Sequence, residues 1–249
     1  GLPHELIPLV VGFTGYGNVS GGAQEIFDLL PHESVAPADL ALLPPDEAGR
    51  LYKVVFKEAD CFAASDGVSP FSLEDYFRHG KQRYVSVFDR HLEHLGVWVN
   101  CIYWDDRYPR LLTLKDCRRM WTAARRPQLR VIGDISCDPN GSVQCTVRAT
   151  DPGNPVYVYD PVQQRAVDGV AGDGPVVMAV DILPTEIPRE ASDHFSGVLK
   201  DFLPALASAD FCVPFEDLAL PDALRRATIV HRGQLTPDYL YLKPHVAGK

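Results

Sequence analysis

The hydrophobic positions of this chain alternate between short apolar runs and amphipathic stretches. Apolar residues recur at helical spacing in 113–124, in the long stretch 188–207, and in an aromatic segment that begins at Ser72 like a helix and extends to residue 92. This alternation predicts an α/β fold, with a Rossmann-like, doubly wound, mainly parallel sheet and helices on both faces. The runs sized for buried strands are 9–13, 97–103, 129–135, 156–159 and 175–180.

A glycine-rich turn joins the first predicted strand to the first predicted helix, residues 23–30. Gly15 is expected to form the tight turn, Gly17 to admit a pyrophosphate to the backbone, and Gly22 to let the helix pack close to the strand. Strand, glycine turn and helix in this order predict a dinucleotide site at the helix N-terminus. The spacing Gly15-x-Gly17-x4-Gly22 departs from the usual G-x-G-x-x-G, so a glycine-rich turn in another α/β protein is the alternative.

Polar side chains gather where two of the predicted strands end. Ligands of open α/β sheets bind beyond the carboxyl ends of the parallel strands, so these residues predict a site. The alternative is that the carboxylates cap turns, because Asp-Pro-Asn-Gly at 138–141 is a strong turn sequence. The polar residues are Asn100, Tyr103 and Asp105 after one strand, and Asp134, Ser136 and Asp138 after the other.

The residues near position 35 bear on the choice of dinucleotide. NAD sites of this type usually carry Asp or Glu at the end of the second strand, about 20 residues past the glycines. Val35 and Ala36 stand at that distance here. Without a carboxylate to repel a 2′-phosphate, NADP(H) is favoured and NAD(H) is the alternative. Arg50 or Lys53 would then have to reach the phosphate from the next segment.

Composition excludes several classes of function. The 249 residues are 46% hydrophobic with a net charge of −9, which argues against a nucleic-acid partner. No apolar run approaches the roughly 20 residues that cross a bilayer, so no membrane partner is expected. The six cysteines lack a C-x-x-C pattern and are expected to be reduced thiols of an intracellular protein. His91 and His94 share a predicted helical face without a third ligand, so we expect surface histidines and no metal.

Four motifs in a fixed order carry a resemblance to a known family. With them, residues 9 to about 241 resemble the lysine-ketoglutarate reductase/saccharopine dehydrogenase family of the alpha-aminoadipate pathway, and in particular the cofactor-binding part of its reductase half. The resemblance implies the fold of the alanine dehydrogenase/transhydrogenase group. The motifs are GYGNVSGGAQEIFDLLP at 15–31, NCIYW at 100–104 followed by RLLT at 110–113, VIGDISCDPNGS at 131–142, and VDILPTEIPREASDHFS at 180–196.

This resemblance implies an NAD(P)-dependent oxidoreductase that acts on CH–NH bonds. The implied reaction is the reductive condensation of L-lysine and 2-oxoglutarate to saccharopine with NADPH, in lysine degradation, in the mitochondrial matrix or the cytoplasm. One alternative is the NAD-dependent, L-lysine-forming saccharopine dehydrogenase. Another is a dinucleotide-binding regulatory module without chemistry.

The resemblance also assigns residues. Ser136, Cys137 and Asp138 are expected to face the substrate. For Ile135, core packing is an equally good interpretation, and Asp181 could simply cap the following turn. The family's catalytic lysine and histidine lie in an earlier domain and are assigned to no residue here. The expected cofactor contacts are Gly15, Gly17, Asn18, Val19, Gly22, Tyr103, Ile135, Val180, Asp181, Ile182 and Leu183.

The expected domains are a Rossmann-like dinucleotide-binding domain, residues 1–186, and a C-terminal helix and tail, residues 187–249. The second part would return to a substrate domain whose N-terminal part precedes this chain, and a saccharopine dehydrogenase domain could follow it. The isolated chain is therefore expected to be incomplete for catalysis.

Overall fold

The computed structural model describes residues 6–44, 49–124 and 126–246, and the chain divides into two compact units, Gly1–Leu183 and Pro184–Lys249. The first unit is built on an eight-stranded sheet with the order β2-β3-β1-β6-β7-β10-β8-β9. The strands of this sheet are β1 (Leu9–Thr14), β2 (Glu33–Ser34), β3 (Leu51–Phe56), β6 (Val97–Asn100), β7 (Val131–Asp134), β8 (Val156–Asp160), β9 (Arg165–Asp168) and β10 (Val176–Met178).

The strands from β2 to β10 in this order run parallel, and only β8 and β9 are antiparallel additions at one edge. A small antiparallel pair, β4 (Phe62–Ala64) and β5 (Tyr84–Ser86), lies outside the main sheet. The predicted mainly parallel α/β fold is therefore confirmed. The hairpin strand β9 had no counterpart in the sequence prediction, because its residues are largely exposed and lack an apolar run.

Five helices accompany the sheet in the described part of the first unit. The first begins at Asn18, five residues earlier than predicted, and ends at Phe27, so Leu29 and Leu30 follow it and are exposed. Its aromatic Phe27 contacts Phe13 of β1 edge to face at 5.5 Å. The helices are α1 (Asn18–Phe27), α2 (Glu58–Cys61), α3 (Leu73–His79), α4 (Asp89–Leu92) and α5 (Leu114–Thr122).

The helix predicted from Ser72 starts as expected, because the Ser72 hydroxyl caps α3 by accepting a hydrogen bond from the Asp75 backbone N–H. It ends at His79, and at the following Gly80 φ is +47° and a Cβ atom would collide with the Arg107 carbonyl. The chain then turns into β5, so the predicted continuous stripe to residue 92 is divided among a helix, a strand and α4.

The core lies where β1 meets its neighbours. Phe13 and Trp98 are fully buried, and the Trp98 indole N–H donates to the Thr14 hydroxyl at 3.1 Å. A Cβ on Gly12 would lie 2.7 Å from Leu95 Cδ1, so glycine is needed for this close packing.

The second unit contains short helices and one two-stranded hairpin. The long helix predicted from Pro188 is interrupted by a turn of 3₁₀ helix at Lys200–Phe202. No side chain of its first helix is buried among the described residues. The elements are α6 (Pro188–Leu199), α7 (Leu203–Ser208), α8 (Asp222–Ala227), β11 (Val230–His231), β12 (Gln234–Leu235) and α9 (Lys243–Val246).

Candidate functional site

The glycine turn lies between the carboxyl ends of two strands that flank β1. Thr14 pairs with Phe56 of β3 on one side and with Asn100 of β6 on the other. Beyond the strands, the Gly15 N–H donates to the Phe56 carbonyl at 3.0 Å, and the Cys101 N–H donates to the Thr14 carbonyl at 3.1 Å. These bonds fix the turn at the position where parallel sheets hold their ligands.

Two of the three glycines have the geometry that the sequence predicted for them. Gly15 has φ of +92°, and a Cβ there would lie 3.2 Å from the Cys101 carbonyl oxygen. Gly17 is the N-cap of α1, and no described atom lies within 4 Å of a Cβ built on it, so the approach to the helix N-terminus is open. A Cβ on Gly22 also meets no described atom within 4 Å, so the expected close approach of helix and strand at Gly22 is wrong.

A pocket of about 390 Å³ opens beside this turn. It contains four of the predicted cofactor residues at the turn, together with Tyr103, which is 77% exposed. Sequence reasoning missed Glu58 and the aromatic residues Tyr76, Phe77 and Tyr108, because they come from segments that are distant in the chain. The lining residues are Gly15, Tyr16, Gly17, Asn18, Val19, Glu58, Tyr76, Phe77, Cys101, Ile102, Tyr103 and Tyr108.

Glu58 supplies a negative charge to this pocket. It is the first residue of α2 and follows the end of β3 by two positions. Its charge is the main cause of the raised pKa of Tyr16, and burial adds to the increase. Burial, followed by the same charge, raises the pKa of Tyr76. The Lys57 ammonium lies over the Tyr16 ring, 5.8 Å from its centroid.

The residues at the counted position, Val35 and Ala36, follow a strand that does not adjoin β1. β2, which Val35 follows, is at the edge of the sheet, and β3 lies between it and β1. The strand that ends beside the glycine turn is therefore β3. Lys53 donates to Asp28 at 2.6 Å and Arg50 pairs with Glu33 at 2.9 Å, so both cations have carboxylate partners at other positions.

A buried hydrogen-bond network joins β6 and β7 at the same edge of the sheet. Asp134 is 1% exposed and accepts hydrogen bonds from the Asn100 amide at 2.9 Å, the Ser136 hydroxyl at 2.6 Å and the Thr146 hydroxyl at 2.6 Å. The Asn100 carbonyl oxygen in turn accepts from the Thr14 hydroxyl at 2.7 Å. This network connects the residue before Gly15 to Ser136, the first of the residues expected to face the substrate.

The loop after β7 presents the remaining predicted residues. Cys137 has φ of +47°, an uncommon conformation for a residue with a side chain. Burial is the main cause of its raised pKa, and the charges of Asp134, Asp181 and Asp138 add to the increase. Asp138 follows Cys137 in the chain, and Asp181 follows Val180. Both carboxylates are exposed to solvent.

The other predicted residues follow strands at this same edge. Ile135 continues β7, and its N–H donates to the Asn100 carbonyl at 3.0 Å. Val180 is buried and bridges Thr150, whereas Ile182 is exposed and Leu183 is half-buried. The structure thus brings Gly15, Gly17, Asn18, Val19 and Tyr103 into one pocket. It places Ile135–Asp138 and Val180–Leu183 after neighbouring strands of the same sheet.

The residues at the turn fit a dinucleotide. The ten-residue helix α1 directs its N-terminal N–H groups and partial positive charge toward a turn without an obstructing side chain at Gly17. The pocket volume falls in the range of about 300–1,000 Å³ that is typical of small-molecule sites.

Other kinds of site receive no support from the described residues. Within the described ranges, no group of three or more His, Cys, Asp or Glu residues is placed to hold a metal ion. His91 is buried at 7% exposure, so the expectation that it is a surface histidine is wrong; its ring packs against Phe56 and Phe88. All six cysteines are free thiols. No helix in the described part of the chain is both long and apolar enough to span a bilayer.

The chain is similar along most of its length to proteins of one kind. The alpha-aminoadipic semialdehyde synthase of Arabidopsis thaliana is 39% identical over an alignment 257 residues long, gaps included, which covers 97% of this chain and 23% of that protein. The mitochondrial protein of that name from Mus musculus is 32% identical over 97% of this chain and 27% of its own length. This chain therefore spans about a quarter of the length of these curated relatives.

Two further comparisons give a shorter sequence match and a structural match at low sequence identity. The L-lysine-forming saccharopine dehydrogenase of Schizosaccharomyces pombe is 33% identical over 122 residues, or 46% of this chain and 28% of that protein. A solved L-alanine dehydrogenase superposes with a TM-score of 0.52 at 17% identity, over 96% of this chain and 54% of that one, which supports the fold alone. No family model matches. The sequence matches confirm the family resemblance that the motifs indicated.

Proposed function

Because the chain is related along nearly its whole length to the lysine-ketoglutarate reductase/saccharopine dehydrogenase family, we propose that it binds the nicotinamide dinucleotide of a lysine-2-oxoglutarate reductase. The reaction would be the reductive condensation of L-lysine and 2-oxoglutarate to saccharopine, in lysine degradation. The observation that carries the proposal is the open glycine turn at the N-terminus of α1, beside a pocket bounded by the ends of β3 and β6. The mouse relative is named as mitochondrial, which supports an intracellular location in the matrix or the cytoplasm.

The residues of the turn would hold the pyrophosphate. The backbone N–H groups at Gly17, Asn18 and Val19 belong to the turn and the first helical residues, where N–H groups lack helical partners. Tyr103 offers an exposed aromatic ring in the same pocket. Gly22 lies on α1 but does not line the pocket, so its part in binding would be indirect.

The later strand ends would hold the nicotinamide side and the substrate. Residues 180–183 and Ile135 would border the reactive end of the dinucleotide, which supplies a hydride when bound. Ser136 donates its proton to Asp134 at 2.6 Å and accepts from the Asn100 amide at 3.2 Å. Its hydroxyl is thus fixed in orientation and keeps acceptor capacity for an ammonium group of the substrate.

The cation or carboxylate that meets the adenosine ribose decides between the two dinucleotides. The resemblance implies NADPH, and that expectation now rests on the resemblance alone. Ala36, where a carboxylate is missing, follows the edge strand β2 and not the strand beside the glycine turn. The lysine-forming saccharopine dehydrogenase is supported less well, because its similarity covers 46% of the chain instead of 97%.

Calorimetric titration with NADH and NADPH tests the proposal. We expect binding to the wild-type chain and a loss of at least about tenfold in Gly17→Asp, because the new carboxylate would repel the pyrophosphate while its Cβ meets no described atom within 4 Å. Gly21→Asp is the matched control, since Gly21 is equally unobstructed but lies within α1. Absence of binding by the folded wild-type chain would overturn the proposal.

Absorbance at the reduced-nicotinamide band, with lysine and 2-oxoglutarate present, then separates the enzyme from a regulatory module. Turnover by the protein that contains this chain supports the reductase. Tight binding without turnover in that protein supports a module without chemistry, and turnover only with saccharopine and NAD supports the lysine-forming dehydrogenase.

A further inference from the structure

The order of strands identifies an acidic residue at the adenosine side of the pocket. β3 is the direct neighbour of β1, and its last residue, Phe56, pairs with Thr14 immediately before the glycine turn. The next residues are Lys57 and Glu58, and Glu58 lines the pocket together with the turn. No such contact could be assigned from the sequence, because a further strand, β2, intervenes in the chain between β1 and β3.

In an open parallel sheet, the strand next to the glycine turn is the one that ends beside the ribose of a dinucleotide. The vicinal hydroxyls of a ribose are hydrogen-bond donors, and a carboxylate offers two oxygens that only accept. We propose that Glu58 accepts hydrogen bonds from the ribose hydroxyls of the adenosine half and thereby makes this chain select NAD(H) over NADP(H). This inference rests on the proposed function and replaces NADPH, the dinucleotide that the resemblance implies, with NADH.

The charges around the pocket agree with this selection. Of the described residues that line it, none is lysine or arginine, whereas Glu58 contributes a carboxylate. A 2′-phosphate placed here would therefore meet a like charge and no lining cation. Lys53 of β3 pairs with Asp28, and Arg50, the residue before β3, pairs with Glu33.

Glu58 lies close to the glycine turn. Its charge acts on Tyr16, which stands between Gly15 and Gly17 in the turn itself, and both residues line the pocket. A glutamate carboxylate can accept through both of its oxygens, so it can bind the two vicinal hydroxyls of a ribose. The Lys57 ammonium lies over the ring of Tyr16, which lines the pocket, but Lys57 is not itself a lining residue.

Titration of wild-type and Glu58→Gln protein with NADH and NADPH tests the selection, with ADP and adenosine 2′,5′-bisphosphate as probes of the ribose end alone. We expect the wild-type chain to bind NADH at least about tenfold more tightly than NADPH. In Glu58→Gln, NADH binding should weaken by about tenfold and the ratio of the two dissociation constants should approach one. Glu93→Gln neutralises an exposed carboxylate outside the pocket and should leave that ratio unchanged.

A second variant separates Glu58 from its cationic neighbour. Lys57→Gln should leave the preference for NADH unchanged; a selective loss of NADPH binding would show that Lys57 receives a 2′-phosphate and would overturn the inference. A wild-type preference for NADPH, or an equal loss of both dinucleotides in a folded Glu58→Gln, would overturn it as well. If neither dinucleotide binds the folded wild-type chain, the proposed function itself fails.

Discussion

Alanine at Gly15 and alanine at Gly22 should change the stability of this chain in opposite directions. At Gly15, φ is +92°, a conformation that side chains rarely adopt. An alanine Cβ would also lie 3.2 Å from the Cys101 carbonyl oxygen, and that backbone is held by the bond from the Cys101 N–H to Thr14. The conformational cost alone is about 1–2 kcal/mol, and the crowding adds to it.

Gly22 lies inside α1, and a Cβ there meets no described atom within 4 Å. Alanine at such a position restricts the unfolded chain and fits the helix, so Gly22→Ala should stabilise by about 0.5–1 kcal/mol. If instead the helix packed against β1 through this glycine, as in the usual dinucleotide fingerprint, the same change would destabilise the protein.

Thermal unfolding followed by far-ultraviolet circular dichroism measures both effects. For a chain of this size, 1 kcal/mol corresponds to about 2–4 °C in Tm. Gly15→Ala should therefore lower Tm by about 2–8 °C, and Gly22→Ala should raise it by about 1–4 °C. A fall in Tm of Gly22→Ala comparable to that of Gly15→Ala would refute the reasoning, because it would mean that α1 approaches the sheet at Gly22.

Three other predictions follow from the described contacts. Thr146→Val should destabilise the protein by about 1.5–3 kcal/mol, measured by urea denaturation, because it removes a buried hydrogen bond to the Asp134 carboxylate. Burial, and then the Arg90 charge, lower the pKa of His91, so the unfolded chain takes up a proton first as pH falls below about 6.5. Stability should therefore fall from pH 7.5 to 5.5, and His91→Gln should flatten this slope in Tm. Gly80→Ala should prevent a stable fold in thermal melts, because its Cβ would collide with a backbone carbonyl at a positive φ.

Matched variants separate these effects from general damage. Thr122→Val removes a hydroxyl that bonds only to carbonyls of its own helix and should have a small effect. His194→Gln, which replaces an exposed histidine of α6, should leave the pH slope intact if His91 causes it. Gly67 shares a positive φ, +69°, but a Cβ there meets no described atom within 4 Å, so a Gly67→Ala variant as unstable as Gly80→Ala would contradict the collision argument.

Local pattern predicted those parts of the fold that depend on neighbours in sequence. The run 9–13 became β1 because its residues are buried on both faces, and Thr113 capped α5 because its hydroxyl accepts from the Asp116 N–H. The loop after β7 was found for the same reason, since its carboxylates follow a buried strand directly.

Sequence alone could not predict where separate segments meet. The break at Gly80 depends on the Arg107 carbonyl, which is distant in the chain. The open side of Gly22 depends on how α1 lies against the sheet, and three glycines with a shifted spacing do not determine that. Both errors concern contacts across the fold and not the local conformation of the residues themselves.

The same distinction governs the choice of dinucleotide. Counting residues from the glycines assumes that the second strand in the chain is the second strand in the sheet. Here β2 is a two-residue edge strand that pairs only with β3, so the count stopped one strand too early. The end of β3 brings Glu58 to the pocket, and under the proposed selection its carboxylate would repel a 2′-phosphate there. A short inserted strand can thus change the predicted cofactor without altering the glycine turn, because the turn binds the phosphates while the neighbouring strand binds the ribose.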